Sequence, residues 1–280
     1  MASVRVFLVG AIVVAVLPLR LGAQAADASS NKGLVTPYPD TPAGNWPHPP
    51  RTDHVEPNIA KTPPAPSAAL ANTVSVVSLK APDKALAAYH RGLEEAHKNN
   101  FTQAQKKLEQ AVQIYPQFAD AWCALGEVHE MQNHLPEGRA AYLRSLAADP
   151  KLIFPYLHLA SLEADAKQWP QVAQFSERAL HLNPNDFPSA WYYSALANFK
   201  LGHNEVAEVR ARKAEAMDTH HLYPKVYLLL ADLLVAKEDF AGAAQQTRTY
   251  LQLAPDSANR KGLVSYLQEL DRLAAGAAHP

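Results

Sequence analysis

The sequence has one cysteine, Cys123, among 280 residues, which excludes an intramolecular disulfide framework and a cysteine-rich metal site. Glycine is also sparse, with 11 residues, whereas proline is plentiful, with 22. The 26 basic and 27 acidic side chains nearly cancel, so no global field draws the protein to nucleic acid or to an anionic membrane. Apolar residues make up 48% of the chain, and alanine and leucine dominate its second half, which favours helices.

The N-terminal segment is typical of a secretory signal. Arg5 precedes an apolar run over residues 6–19, and Ala23-Gln24-Ala25 fits the small-residue rule for signal peptidase. The run is shorter than the about 20 residues that a membrane-spanning helix needs. We therefore predict a signal peptide at 1–25 and an exported protein, periplasmic or secreted. The alternative is an uncleaved N-terminal anchor, which would be the only contact with a membrane.

Two segments separate the signal from the helical region. Residues 26–73 contain ten prolines and little apolar periodicity, so we predict a proline-rich disordered tether there. Residues 74–84 begin with Val74 and Val76 in alternation, which predicts a short extended lead-in. Pro82 then suits the start of a helix.

From residue 85 to 256 the sequence repeats with a period of 34 residues. Four series keep this interval: Pro116, Pro150 and Pro184; Gly92, Gly126 and Ala160; Ala104, Gly138 and Val172; Ala111, Ser145 and Ala179. One extra residue enters after Pro184 and two more enter near residue 221, after which the pattern resumes. Such a fixed period is typical of stacked structural units.

The second unit shows what each repeat contains. Trp122, Leu125, Gly126 and His129 lie at i, i+3, i+4 and i+7, which is one face of a helix. The segment at 131–136 breaks this helix, and a second one ends before Pro150. Because one helix pair cannot bury its apolar stripe alone, neighbouring pairs must stack.

These residues resemble the tetratricopeptide repeat (TPR) family. The signature W-x2-L-G-x2-Y is met by Trp122, Leu125, Gly126 and His129, and the unit closes at Pro150. The resemblance implies an all-α fold, a right-handed superhelical α-solenoid of about five TPR helix pairs at 85–256. The repeat-defining structural residues are then Gly92, Ala104, Pro116, Trp122, Gly126, Pro150, Tyr156, Pro184, Trp191, Ala207, Tyr227, Ala243 and Pro255.

Three regions qualify this resemblance. The first unit departs from the pattern with Ala88 at the large aromatic position, and the fourth has Thr219 in place of the closing proline. Residues 257–276 carry apolar side chains on one face and charges elsewhere, which predicts a C-terminal capping helix with Ser257 as its cap. A helix that binds a partner is the alternative interpretation of that segment.

The resemblance implies a non-catalytic scaffold that binds a peptide or a partner helix in a concave groove lined by the first helices. The lining residues carried over from the family are Asp120, Glu127, Glu130, Phe154, His158, Ser161, Asp165, Tyr192, Phe199, Lys200 and Asp232. This groove is acidic at its beginning and aromatic further on, so we expect a partner with a basic segment followed by apolar or aromatic anchors. The alternative is that these charges form an ordinary solvated face.

No motif predicts catalysis. A zinc-binding H-E-x-x-H motif places its histidines at i and i+4, whereas His129 and His134 are five residues apart. We therefore predict no enzyme activity, no metal and no cofactor, and a protein or peptide partner with no nucleic acid. Two alternatives stay open: a membrane-tethered component of an assembly or secretion machine, and a metal-dependent hydrolase. The export signal and repeats together lead us to expect a bacterial protein.

Overall fold

A computed structural model describes residue 75 and residues 77–277, so the predicted signal peptide and tether lie outside the described residues. Within that range the chain forms helices and no strand. A 3₁₀ helix at Ser78–Lys80 precedes eleven α-helices: α1 Asp83–His97, α2 Phe101–Ile114, α3 Ala119–Met131, α4 Leu135–Ala148, α5 Phe154–Asp165, α6 Trp169–Leu182, α7 Pro188–Lys200, α8 Asn204–Met217, α9 Lys225–Val235, α10 Phe240–Leu253 and α11 Arg260–Ala277. None of these helices is both long and apolar enough to cross a bilayer.

The helices pack as five pairs in chain order. Helix α1 packs on α2, and the same holds for α3 with α4, α5 with α6, α7 with α8 and α9 with α10. Each pair also contacts the next, and α11 packs on α10 at the end. This is an α-solenoid of five helix pairs with one further helix, which confirms the predicted fold class. The apolar face of each pair is buried by its neighbours, as the stacking argument requires.

Each pair is closed by the same tight turn. A residue two or three positions after the end of the first helix adopts a positive φ in every unit, at Asn99, Asn133, Lys167, Gly202 and Glu238. In each turn the next backbone N–H bonds to a carbonyl five residues back, as from His134 N to His129 O at 2.8 Å. This left-handed helix ending satisfies carbonyls at the helix terminus. Only Gly202 adopts it without a side-chain penalty.

The repeated aromatic and proline residues are joined by hydrogen bonds. In three units the aromatic side chain in the first helix donates to the carbonyl oxygen of the proline before that helix. The pairs are Trp122 to Pro116 at 2.8 Å, Tyr156 to Pro150 at 3.1 Å, and Trp191 to Pro184 at 2.8 Å. Each bond ties the connection between two units to the following helix. The 34-residue spacing of prolines and aromatics therefore has a direct structural cause.

Small residues of the repeat allow the two helices of a pair to approach. Gly126 on α3 lies against the ring of Tyr142 on α4, and Gly92 on α1 lies against Leu108 on α2. In the second helices, Ala104, Ala207 and Ala243 are completely buried. A larger side chain at these positions would push the helices apart.

The lead-in differs from its predicted extended form. Ser75 accepts hydrogen bonds through its Oγ from the backbone N–H groups of Val77 and Ser78, at 3.2 and 3.4 Å. A 3₁₀ helix follows, and α1 has already begun at Asp83. A serine that bonds to backbone groups two and three residues ahead favours a turn over a strand. Val74 and Val76, whose alternation suggested the extended form, lie outside the described residues.

Two helix boundaries also differ from simple expectation. Helix α8 ends at Met217 without a proline, because the buried carboxylate of Asp218 accepts hydrogen bonds from Leu222 N and Tyr223 N at 2.8 and 2.7 Å. The C-terminal helix begins at Arg260, not at 257. Ser257 is buried there and accepts a hydrogen bond from Tyr250 Oη at 3.3 Å, so it does not cap the helix.

Candidate protein-binding wall

One side of the solenoid is lined by the first helices of the five units, α1, α3, α5, α7 and α9, and we call this side the inner wall. The first helices of neighbouring units touch directly, at α1–α3, α5–α7 and α7–α9. Contacts between successive second helices are at most sparse in the part of the chain that the structure describes. First helices that lie closer together than second helices curve the stack toward the first helices. The inner wall is therefore the concave side.

A charged cluster occupies the inner wall between the second and third units. His158 on α5 lies between two glutamates of α3, with its Nε2 3.5 Å from Glu127 and its Nδ1 2.9 Å from Glu130. Helix periodicity places both carboxylates on one face, because they are three residues apart. Two carboxylates face one imidazolium, so the cluster has a net negative charge.

The cluster is built into the core by Tyr142. The His158 ring stacks on the Tyr142 ring with centroids 4.7 Å apart and planes 11° apart. The hydroxyl of Tyr142 donates to the same Glu130 oxygen that His158 contacts. The side chain of Glu130 is 7% exposed and that of Glu127 is 28% exposed. Of the two carboxylates, Glu127 is therefore the one that a partner can reach.

The electrostatics of the cluster follow from this geometry. Burial alone would lower the pKa of His158, but hydrogen bonds to Glu127 and Glu130 and their charges outweigh burial and raise the pKa to about 10. His158 is thus protonated at neutral pH. Burial raises the pKa of Tyr142, and the charge of Glu130 adds to that effect. Burial also raises the pKa of the Cys123 thiol, which fits a packing residue.

Asp120, predicted to line the groove, is covered by the lead-in. Its backbone N–H donates to Ser78 Oγ at 3.3 Å, and its Oδ2 is buried with no hydrogen-bond partner. Ser75 Oγ donates to Asp149 at 2.5 Å, which holds the lead-in in place. Burial raises the pKa of Asp120, although hydrogen bonds from the lead-in serines lower it in part. The Oδ2 atom of Asp120 is therefore closed to a partner, and the place of this residue in the groove stays a prediction.

The aromatic part of the wall is contributed by Tyr193 and not by Tyr192. Tyr192, predicted as a groove anchor, is only 9% exposed, so little of its side chain is open to a partner. Tyr193 is half-buried and hydrogen-bonds to Ser161, although burial still raises its pKa. The negative charges of Asp165 and Glu130 raise the pKa of Tyr193 as well. Tyr193 lies two residues after Trp191, just as His158 lies two residues after Tyr156 in the preceding unit. This equivalent position in the repeat could have identified Tyr193 from the sequence.

Further along the wall lie two phenylalanines. Phe154 is half-buried and meets Phe187 edge-on at 5.8 Å. Phe199 is half-buried, and Nζ of the exposed Lys200 lies 5.1 Å from the centre of its ring. Beyond them Asp232 lies on α9, where burial raises its pKa to about 6 and the charge of Lys200 lowers it in part. These side chains give the later part of the wall its aromatic and mixed-charge character.

The histidines considered for zinc lie close together. The rings of His129 and His134 are 6.1 Å apart, because the turn after α3 brings His134 back toward the helix. The predicted break of the helix within residues 131–136 is present, because α3 ends at Met131. His129 is buried, and burial lowers its pKa. Among the described residues no group of three or more His, Cys, Asp or Glu side chains is placed to hold a metal ion.

The repeated units and their concave wall define an α-solenoid repeat protein. The family model for the tetratricopeptide repeat matches residues 89–153, which run from within α1 to the connection after α4. The whole described fold is that of TPR proteins, and TPR folds generally mediate protein–protein interactions. No curated protein sequence matches the chain.

Solved structures share this fold at low sequence identity. PilF of Pseudomonas aeruginosa is 22% identical with a TM-score of 0.53, over 69% of this chain and 93% of PilF. YrrB, described as a TPR protein with an unusual peptide-binding site, is 15% identical with a TM-score of 0.55, over 66% of this chain and 92% of YrrB. MamA of Desulfovibrio magneticus RS-1 is 16% identical with a TM-score of 0.55, over 64% of this chain and 99% of that structure. These likenesses concern the fold.

Proposed function

We propose that this protein is a non-catalytic scaffold whose inner wall binds an extended peptide or a helix of a partner protein. The observation that carries the proposal is the arrangement of side chains along that wall. A net negative cluster at Glu127, Glu130 and His158 is followed by the half-buried rings of Tyr193 and Phe199. Charged groups of one sign steer a partner of the opposite sign, and aromatic side chains supply most of the binding energy at interfaces.

The partner segment is basic where it meets the second and third units. Glu127 is the accessible carboxylate, and His158 neutralises only one of the two glutamates. Apolar or aromatic side chains of the partner then pack on Tyr193 and Phe199. The peptide-binding site described for YrrB supports a peptide as the ligand class, because the two proteins share the fold.

We further propose that the protein acts outside the cytoplasm, free in the periplasm or secreted. This rests on the sequence of residues 1–25 and on the tether that follows. N-terminal sequencing of the mature protein is expected to begin at residue 26. A mature chain that still carries the apolar run would instead favour the membrane-tethered alternative.

A peptide titration tests the groove. The probe is a fluorescein-labelled synthetic peptide with a Lys/Arg-rich half and a Trp/Phe-containing half, and fluorescence anisotropy measures its binding. We expect Phe199→Ala to weaken binding about tenfold, because an aromatic anchor contributes more than about 1 kcal/mol. Glu127→Gln is expected to weaken it up to about fivefold, as for a partly exposed charge pair.

Two controls make the result specific to the wall. Glu205→Gln removes the same charge from an exposed position on the second helix α8, and binding should not change. A peptide with Glu in place of Lys and Arg should bind more weakly than the basic one. Equal binding of the two peptides, with circular dichroism unchanged in every variant, would rule out the charge assignment. If Phe199→Ala binds the peptide with the same affinity as wild type, Phe199 is not an aromatic anchor of the wall.

A further inference from the structure

The lead-in is hydrogen-bonded to the first two units at the end of the inner wall where the first helices begin, and we call this end the rim. Tyr115 Oη donates to the carbonyl oxygen of Val77 at 3.3 Å, and Ser75 Oγ donates to Asp149 Oδ2 at 2.5 Å. Ser75 and Ser78 are each 3% exposed. The lead-in is therefore a packed part of the solenoid.

These two hydrogen bonds give the path of the chain along the rim. Tyr115 and Asp149 directly follow α2 and α4 and are 34 residues apart, so they hold equivalent places in neighbouring units. Val77 lies at the first of these places and Ser75 at the second. Toward its N-terminus the chain thus passes from the connection before α3 to the connection before α5. The residues before Ser75 leave the described structure where the third unit begins.

The lead-in also completes the start of α3. The residue before this helix, Phe118, makes no capping hydrogen bond through its side chain. Ser78 Oγ instead accepts a hydrogen bond from the backbone N–H of Asp120, one of the donors that a helix leaves free in its first turn. The chain therefore already covers one position that the sequence predicted to line the groove.

The equivalent position in the third unit is an aromatic residue. Phe154 lies 34 residues after Asp120 and is the first residue of α5. Its ring meets Phe187 edge-on but stays partly exposed, whereas the apolar residues next to it in sequence are buried. His158 lies one turn later on the same face of α5. Phe154 therefore borders the charged cluster of the inner wall.

The residues that precede Ser75 match Phe154 in chemistry and in reach. Residues 67–74 read SAALANTV, with no charge and with Leu70 and Val74 as the larger apolar side chains. The five residues from Leu70 to Ser75 span at most about 17 Å. Packed helices lie about 8–10 Å apart, so Leu70 can reach the start of α5 from the Asp149 connection. An apolar side chain gains free energy when it covers a partly exposed ring.

We propose that residues 67–74 continue the path of the lead-in along the rim and pack Leu70 on Phe154. The chain thereby covers the near part of its own inner wall. This inference rests on the proposed function, because a peptide that binds at Glu127 and His158 must displace the segment. The apparent affinity for the peptide is then reduced by the fraction of molecules in which the segment occupies the wall.

Fluorine NMR tests the contact without any peptide. The full-length protein is labelled with 4-fluorophenylalanine at its eight phenylalanines, and the Phe154 signal is identified by its loss in Phe154→Leu. Leu70→Gln replaces the packed side chain by a polar one without adding charge. We expect the Phe154 signal to move by more than its line width in this variant, because the ring loses its apolar cover.

Two controls make the shift specific. Ile59→Gln makes the same kind of change on the same part of the chain, outside residues 67–74, and should leave the Phe154 signal in place. Phe118 lies directly before α3, where Ser78 is bound, so an unchanged Phe118 signal shows that the lead-in itself stays bound. A Phe154 signal that is the same in wild type, Leu70→Gln and Ile59→Gln would overturn the contact.

Peptide binding tests the regulation. In the anisotropy titration described above, Leu70→Gln should bind the basic and aromatic peptide about three- to tenfold more tightly, as for a wall that is free about a third to a tenth of the time in wild type. Ile59→Gln should bind it as wild type does. Equal affinity of Leu70→Gln and wild type would overturn the competition between segment and peptide.

The two readouts separate this inference from the proposed function. If the peptide binds the wall while Leu70→Gln leaves the Phe154 signal unmoved, the self-contact is wrong and the scaffold function stands. If Leu70→Gln moves the Phe154 signal while no peptide binds wild type or the variant, the self-contact stands and the scaffold function fails. A shifted signal together with tighter peptide binding supports both.

Discussion

His158→Gln is expected to lower the free energy of unfolding by about 3–5 kcal/mol at pH 7, because removal of one partner leaves buried charge uncompensated. Without the imidazolium, Glu130 keeps a 7% exposed carboxylate next to Glu127. The stacking of His158 on Tyr142 at 4.7 Å is lost as well. Urea denaturation followed by circular dichroism measures the effect.

A matched histidine and a second-site change test the cause. His181 is exposed on α6, so His181→Gln should change stability by less than about 0.5 kcal/mol. Adding Glu130→Gln to His158→Gln removes the buried negative charge that has lost its imidazolium, and should recover part of the loss. Without that recovery, the loss would have to be assigned to packing and not to charge.

The same histidine makes stability depend on pH. Its pKa is about 10 in the folded protein and about 6.5 in an unfolded chain, so the folded state binds the proton more tightly. Its contribution is complete below about pH 6.5 and is lost as the pH rises through about 10. The stability difference between wild type and His158→Gln should therefore narrow from pH 7 to pH 10. A constant difference over that range would contradict the charged state of His158.

Gly126→Ala is expected to cost about 2–3 kcal/mol of stability, although alanine favours helices over glycine by about 1 kcal/mol. A Cβ at residue 126 would lie 2.6 Å from Cε1 and 2.7 Å from Cδ1 of Tyr142. The Tyr142 ring is completely buried, its hydroxyl bonds to Glu130 and its face stacks on His158. Because the ring is held on three sides, it cannot move without disturbing the charged cluster.

Gly276→Ala provides the opposite case. Gly276 lies in α11, and no atom lies within 4 Å of the position that a Cβ at this residue would take. Helix propensity alone then applies, so the variant should be as stable as wild type or up to about 1 kcal/mol more stable. Thermal unfolding of Gly126→Ala, Gly276→Ala and wild type measures both changes in stability. A Gly126→Ala protein as stable as wild type would show that α3 and α4 can separate at little cost.

Much of the fold was predictable because its causes are local. The 34-residue spacing of Pro116, Pro150 and Pro184 marks connections where an aromatic side chain bonds to the proline carbonyl. Gly126 marks the close approach of two helices. The fourth unit was harder, because Asp218 replaces the closing proline by a different kind of helix ending.

The inner wall was only partly predictable. The sequence predicted that its acidic and aromatic residues lie on the first helices. It did not predict how exposed each of these side chains is. Tyr192 is turned into the core while its neighbour Tyr193 faces the wall, a difference of one residue on a helix. Asp120 lies on the first helix as expected, and yet the lead-in covers it. Export, the tether and the identity of the partner stay predictions.

The sequence by itself determined the number of helix pairs, the turn inside each pair and the faces that pack within a pair. These features depend on side chains at most a few turns apart, so a periodic pattern encodes them. Only the tertiary structure decided which charges on the wall are neutralised. Glu127 of the second unit contacts His158 of the third unit, whereas Asp232 has no ion-pair partner among the described residues. The reason is that the rotation between neighbouring units decides which side chains of successive helices face each other.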